Sequence, residues 1–163
     1  MKRWLLSLCI LLLVGCGKAD QVNVMQAQLA EAPFTAQGSM EYQGKTFAIE
    51  MKRSEGAKVL VTTSEKLPTP VTYTLQEGAL LIDHNGEDVI KLEEAKAPET
   101  CVALQIWDGL EALSLGSSVK KGDTITVTRQ DRAVATASKD KKLLSLTFPA
   151  QQIKISFNSF EYL

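Results

Sequence analysis

Past residue 33 the chain alternates apolar and polar positions with a period of two. Phe34, Ala36, Gly38, Met40 and Tyr42 interleave with Thr35, Gln37, Ser39 and Glu41, the pattern of a strand with one buried face. Phe47, Ile49 and Met51 repeat it after a turn at Gln43-Gly44, and residues 58–63 after a turn at 54–56. Residues 64–70 hold Pro68 and Pro70 and predict an irregular connection. Val71, Tyr73 and Leu75 give a fourth strand, 79–83 a fifth, and Asn85-Gly86, the strongest hairpin dipeptide, turns the chain into 87–92. Four more strands are expected over 124–130, 132–137, 142–148 and 152–162. In the last, Ile153, Ile155 and Phe157 are out of phase with Phe160 and Tyr162, so a bulge is expected near Asn158-Ser159.

Two stretches have helical spacing instead. Val22, Met25 and Leu29 share a face over 20–31, with Asp20 as N-cap and Pro33 beyond the end. Val102, Ile106, Leu110 and Leu113, with Trp107, predict a second helix over about 100–115, opened by Thr100 and weakened at Gly109. Nine or ten strands joined by tight turns are antiparallel, and a sheet that wide twists and curls. The expected fold is α+β: a curled antiparallel sheet forming an open half-barrel, with an N-terminal helix and one inserted helix on its concave side.

The first residues follow another rule. Lys2 and Arg3 precede an apolar run from Trp4 to Val14, about half the ~20 residues a spanning helix needs, so it reads as a secretory signal. Leu13-Val14-Gly15-Cys16 resembles the lipobox of bacterial lipoproteins. The resemblance implies cleavage between Gly15 and Cys16, and attachment of a diacylglyceryl group, with palmitate-type chains, to the Cys16 thiol. The expected organisation is therefore a signal peptide over 1–15, a lipidated N-terminus and short tether over 16–19, and one domain over 20–163. The expected location is the extracytoplasmic face of the cell membrane, or the outer membrane in a diderm cell, since Gly17 rather than an aspartate follows the cysteine.

Composition narrows the function. Removing 15 of the 163 residues leaves 148, enough for one well-filled core. The signal takes two of the 18 basic side chains and none of the 19 acidic ones, so the mature balance is −3, and nothing draws the chain to nucleic acid. Of three cysteines, Cys9 leaves with the signal and Cys16 carries lipid, so Cys101 is left without a disulfide partner.

No chemistry-bearing constellation stands out. His84, the only histidine, lies among Asp83, Glu87 and Asp88 at a predicted hairpin tip, which favours a polar turn over a metal or acid–base site. Cys101 at the start of the second helix has no catalytic motif around it and reads as a small packed residue. Lys120, Lys121, Lys139, Lys141 and Lys142 fall in predicted turns and read as solubilising charge, with anionic lipid headgroups as the alternative. Trp107, Ile106 and Leu110 are the candidate groove-lining residues, with plugging of the sheet's own core as the competing role. No catalytic residue, metal or cofactor is expected.

The order of elements is similar to the LolA/LolB type of lipoprotein-localisation protein and its relatives in monoderm bacteria, including the germination lipoprotein of clostridia. The likeness is carried by the helix before F-T-A-Q-G (34–38), Y-Q-G-K-T-F (42–47), the connector K-L-P-T-P (66–70), the helix around Trp107-Asp108-Gly109-Leu110, and I-K-I-S-F (153–157). It implies a non-enzymatic binding module for an apolar acyl ligand or a protein partner. The alternative is a structural or regulatory lipoprotein that activates an envelope protein, such as a cell-wall hydrolase in sporulation or germination.

Overall fold

The computed structural model describes residues 19–86, 90–130 and 132–163. The expected signal peptide over 1–15, with Gly15, and the expected lipid-bearing Cys16 lie outside the described residues. The described part is one antiparallel sheet with two helices, in the order α1 (Ala19–Glu31), β1 (Phe34–Tyr42), β2 (Lys45–Ser54), β3 (Ala57–Ser64), β4 (Leu67–Gln76), β5 (Ala79–His84), β6 (Ile90–Glu93), α2 (Val102–Ala112), β7 (Ser117–Lys121), β8 (Thr124–Arg129), β9 (Ala133–Ser138), β10 (Leu143–Phe148) and β11 (Ile153–Tyr162). The sheet has eleven strands in the order β6-β5-β4-β3-β2-β1-β11-β10-β9-β8-β7 and does not close. The first and last strands of the chain thus meet at its centre, through the β1–β11 ladder.

The strand count corrects the expectation of nine or ten. The added strand is β7, S-S-V-K-K, an edge strand whose central Val119 is two-thirds exposed. A strand with no buried side chain has no apolar alternation to read. The proline-bearing segment also differs from expectation. Pro68 and Pro70 lie inside β4, where the β3–β4 register shifts between Thr62 and Ser64. Asp20 lies within α1, and Cys101 rather than Thr100 precedes α2, without a side-chain cap.

Other expectations hold. Asn85 and Gly86 both take positive φ, 61° and 76°, as the tight hairpin turn requires. In β1–β11 the register slips between Gln37 and Gly38, which leaves Asn158 over and brings Ile153, Ile155 and Phe160 all into the core. Gly38 serves that crossing, since a Cβ there would stand 2.1 Å from the Ser156 carbonyl oxygen.

One hydrophobic cluster runs through the domain. Met25 and Leu29 of α1, and Ala103, Ile106, Trp107 and Leu110 of α2, join inward residues from both halves of the sheet. Both helices therefore lie on one face, and strands from both halves reach them only if the sheet curls around them. α2 runs unbroken through Gly109, where the sequence predicts a weakness. The glycine has a packing reason: a Cβ would stand 2.1 Å from Cε1 of Phe148, itself 1% exposed.

Two effects of opposite sign therefore compete in Gly109→Ala. Helix propensity favours alanine by about 1 kcal/mol, but the clash forces a buried ring to move, which costs roughly 1–3 kcal/mol. The expected outcome is net destabilisation, read as a lower urea midpoint at unchanged slope.

Candidate functional site

Trp107, Ile106 and Leu110 are all 0% exposed. The Trp107 ring stands 6.0 Å from that of Phe34, which stacks at 4.9 Å on Phe160. In this state the three residues fill the space between sheet and helices instead of lining an open groove.

The open space lies on the other side of α2. Burying one face of this helix leaves Gln105, Asp108 and Ala112 toward solvent. A cleft of about 600 Å³ runs along it, lined by Gly78, Glu94, Ala97, Glu99, Leu104 and Asp108 among others. A second, of about 530 Å³, is lined by Thr100, Ala112, Arg132, Phe148 and Gln151 among others. The two share Glu99, Gln105 and Asp108, so they form one groove over the outer face of α2. Burial, then the neighbouring Glu111, raise the Asp108 carboxyl above its ordinary range, against an opposing pull from Lys58. The Gln105 side chain donates to the Glu99 carbonyl at 2.8 Å, while its own buried oxygen has no partner. The groove offers the carboxylates of Glu94, Glu99 and Asp108 as acceptors around small apolar patches, with Arg132 at one end, a surface suited to a mainly cationic segment of a partner.

A second set of charges lies inside the domain. Residues directly opposite in an antiparallel ladder share a face. The registers align Tyr162, Phe34, Arg53, Lys58, Leu75, Leu80 and Leu92 in one inward row. Arg53 is 4% exposed, with its guanidinium 5.2 Å from the Phe34 ring and 5.4 Å from that of Trp107. Its Nη1 donates to the Leu29 carbonyl at 2.9 Å, and its Nε and Nη2 have no partner. Lys58 pairs with Glu111 of α2. Desolvation lowers the Arg53 pKa, partly opposed by Glu111, Tyr162 and Glu31. The sequence signal for this residue was its phase: Arg53 continues Phe47, Ile49 and Met51 at steps of two, and Lys58 precedes Leu60 likewise.

The remaining sequence candidates are scattered. His84 ends β5 and is exposed. Cys101 is a half-buried free thiol near Tyr73, whose phenol is raised by burial and then by that thiol. Among the described residues no group of three or more His, Cys, Asp or Glu side chains is placed to hold a metal. Lys121 and Lys139–Lys142 flank adjacent turns, with Lys139 4.0 Å from Asp123.

No protein-family model and no curated protein matches the sequence. Solved structures do. The chain is similar to an uncharacterized conserved protein from Thermus thermophilus, with a TM-score of 0.53 at 7% identity over 89% of this chain and 87% of that one. At that identity the likeness is one of fold. Weaker likenesses are to MucB in the Pseudomonas aeruginosa MucA/MucB complex (TM-score 0.48, 16% identity, 88% of this chain and 56% of that one) and to MucB alone (0.46, 14%, 91% and 60%). The chain spans little more than half of MucB.

Tyr162 supplies a pH test of the inward row. Burial raises its phenol to about 12, despite an opposing pull from Arg53, and its hydroxyl donates to the Lys141 carbonyl at 3.2 Å. A phenol whose folded pKa exceeds its unfolded value stabilises the fold fully below about pH 10, and this contribution is lost as pH rises toward 12. Tyr162→Phe should flatten the fall of the melting temperature between pH 10 and 12 without changing its slope near neutrality.

Proposed function

We propose that the protein is a membrane-anchored extracytoplasmic lipoprotein of the LolA type, acting as a non-enzymatic module that docks a protein partner in the groove over α2. The anchor is the diacylglyceryl group on Cys16, exposed as the N-terminus after cleavage of Gly15-Cys16. Two or more acyl chains hold a domain firmly where one is marginal.

One observation carries the docking reading: the inside is filled and the outside of α2 is open. With Trp107, Ile106 and Leu110 fully buried, an acyl chain enters only by displacing a helix. The α2 groove is already formed and needs no such rearrangement. Glu94, Glu99 and Asp108 line it, so the partner segment is basic, with small apolar side chains against Ala97 and Leu104. Electrostatic complementarity of this kind steers association and sets specificity more than affinity. A docking domain fixed at the membrane suits a regulatory role toward another envelope protein.

Two measurements test this reading. Cys16→Ser should abolish labelling by radioactive palmitate and release the protein from the membrane fraction; retention of both would remove the anchor. A photocrosslinker at Gln105 should give one dominant adduct in cells, lost on charge reversal of Glu99 and Asp108, with none from Thr136 on the opposite face of the sheet. Equal adducts from both positions, or indifference to charge reversal, would reject the groove.

A further inference from the structure

The inward row of the sheet holds two cations side by side, Arg53 and Lys58, opposite each other in adjacent strands. Like charges so placed repel, and α2 supplies a carboxylate, Glu111, to Lys58. Arg53 has none: its single bond is to a carbonyl, and two of its three nitrogens lack an acceptor. Stacking against Phe34 and Trp107 offsets only part of the cost of burying a guanidinium. A buried charge with unfilled donor positions calls for an anion.

A place for one adjoins it. A depression of about 250 Å³ lies where the β2–β3 and β4–β5 turns meet, lined by Arg53, Ser54, Lys58, Leu75, Glu77 and Glu94, among others. We infer that Arg53, with Lys58 beside it, is a carboxylate-binding site. Glu111 already holds Lys58, and Glu77 and Glu94 line the same depression, so an anion is held by pairing directly with the guanidinium and a dianionic phosphate is repelled more than a monoanion. Leu75 beside the cations favours a carboxylate on an apolar stem: a fatty acid, or the C-terminus of a chain ending in an apolar residue. Nε and Nη2 are shielded from solvent in this state, so binding requires the guanidinium, tied by one bond, to turn toward the depression, where it holds the carboxylate in a bidentate fork. The depression shares Gly78 and Glu94 with the partner groove, but Glu99 and Asp108, whose charge reversal tests the groove, do not line it, so the two readings fail separately.

The Trp107 ring, 5.4 Å from the guanidinium, is the reporter. The sequence has two tryptophans, and Trp4 lies in the signal, so Trp107 is the only one in the mature protein. Mature lipidated protein in phosphatidylcholine vesicles is titrated with octanoate, octanol, octyl phosphate, and one apolar-ended peptide with a free or an amidated C-terminus. Octanoate, the free peptide or both should change Trp107 emission saturably, and which of them does so identifies the source of the carboxylate. Octanol and the amidated peptide should not, and octyl phosphate should be weaker than octanoate. Arg53→Met should raise Kd about tenfold or more, as loss of a charge-assisted bond does. Unliganded Arg53→Met should melt at or above the wild type, because a buried charge without a counterion gives way to an apolar side chain of similar length. A response equal for octanoate and octanol, no response to either carboxylate, full response retained in Arg53→Met, or an unfolded Arg53→Met would each overturn the proposal.

Discussion

The rest of the structure depends on a problem of area: one wide open sheet has to bury its apolar face, and only two short helices are available to cover it. Helix α1 has 13 residues and α2 has 11, whereas the sheet has eleven strands. The solution is to bring the layers very close and to wrap the sheet around the helices. Gly109 permits α2 to lie against the Phe148 ring, and Gly38 permits β1 to cross the bulge in β11 without a side chain in the way. Small residues on the far strands, Ala133, Ala135 and Ala137 of β9, give the helices room in the same way. Edge strand β6 lies beyond the helices' reach, which is why Ile90 stays exposed, whereas Val119 of β7 is exposed because it shares the outer face with Thr126 and Thr136.

Such economy makes the polar groups left inside more telling. Arg53 has the phase of Phe47, Ile49 and Met51 and so points inward, where a leucine would fill the row at lower cost. Its bond to the Leu29 carbonyl ties the last turn of α1 to β2, but a single neutral acceptor is poor compensation for a desolvated guanidinium. The filled core and the under-paired cation point the same way. The interior is closed to a long acyl chain in this state, yet it keeps one charged group whose bonding is incomplete. Function is then to be sought at the rims of the helical layer, where the α2 groove and the Arg53 depression both open, and not at its centre.

Much of this was legible in the sequence because alternation and turn chemistry are local. Phe34 to Tyr42, the Asn85-Gly86 hairpin and the slip at Asn158 could each be read from a few residues. What was missed was not local. β7 has no apolar face, so nothing in S-S-V-K-K distinguishes an edge strand from a loop. Pro68 and Pro70 read as breakers, but they occupy positions where the β3–β4 ladder is already irregular. The site was harder still. Trp107 and Leu110 have helical spacing whether they line a groove or plug a core, and only the closeness of the sheet decides between them. The α2 groove is built from Gly78, Glu94 and Asp108, which come from three separate segments. Arg53 was within reach: extending the β2 alternation by one more step places a cation inside.

The proposed anchor sets where these surfaces stand. Only Gly17 and Lys18 stand between Cys16 and Ala19 in the sequence, so a lipid on Cys16 would be tied within about 10 Å of Ala19. From Ala19 to Leu29, whose carbonyl holds Arg53, the helix rises about 15 Å. With that anchor Arg53 would stand within roughly 30 Å of Cys16, comparable with the hydrocarbon thickness of a bilayer. A carboxylate leaving the membrane surface, or the end of a short partner chain at that surface, needs no long excursion to reach it. A freely diffusing carrier would gain nothing from so short a tether, whereas a fixed receiver gains a high local concentration of anything confined to the same surface. Under the proposed anchoring, the short tether, the filled core and the under-paired cation make sense together as parts of a stationary binding module.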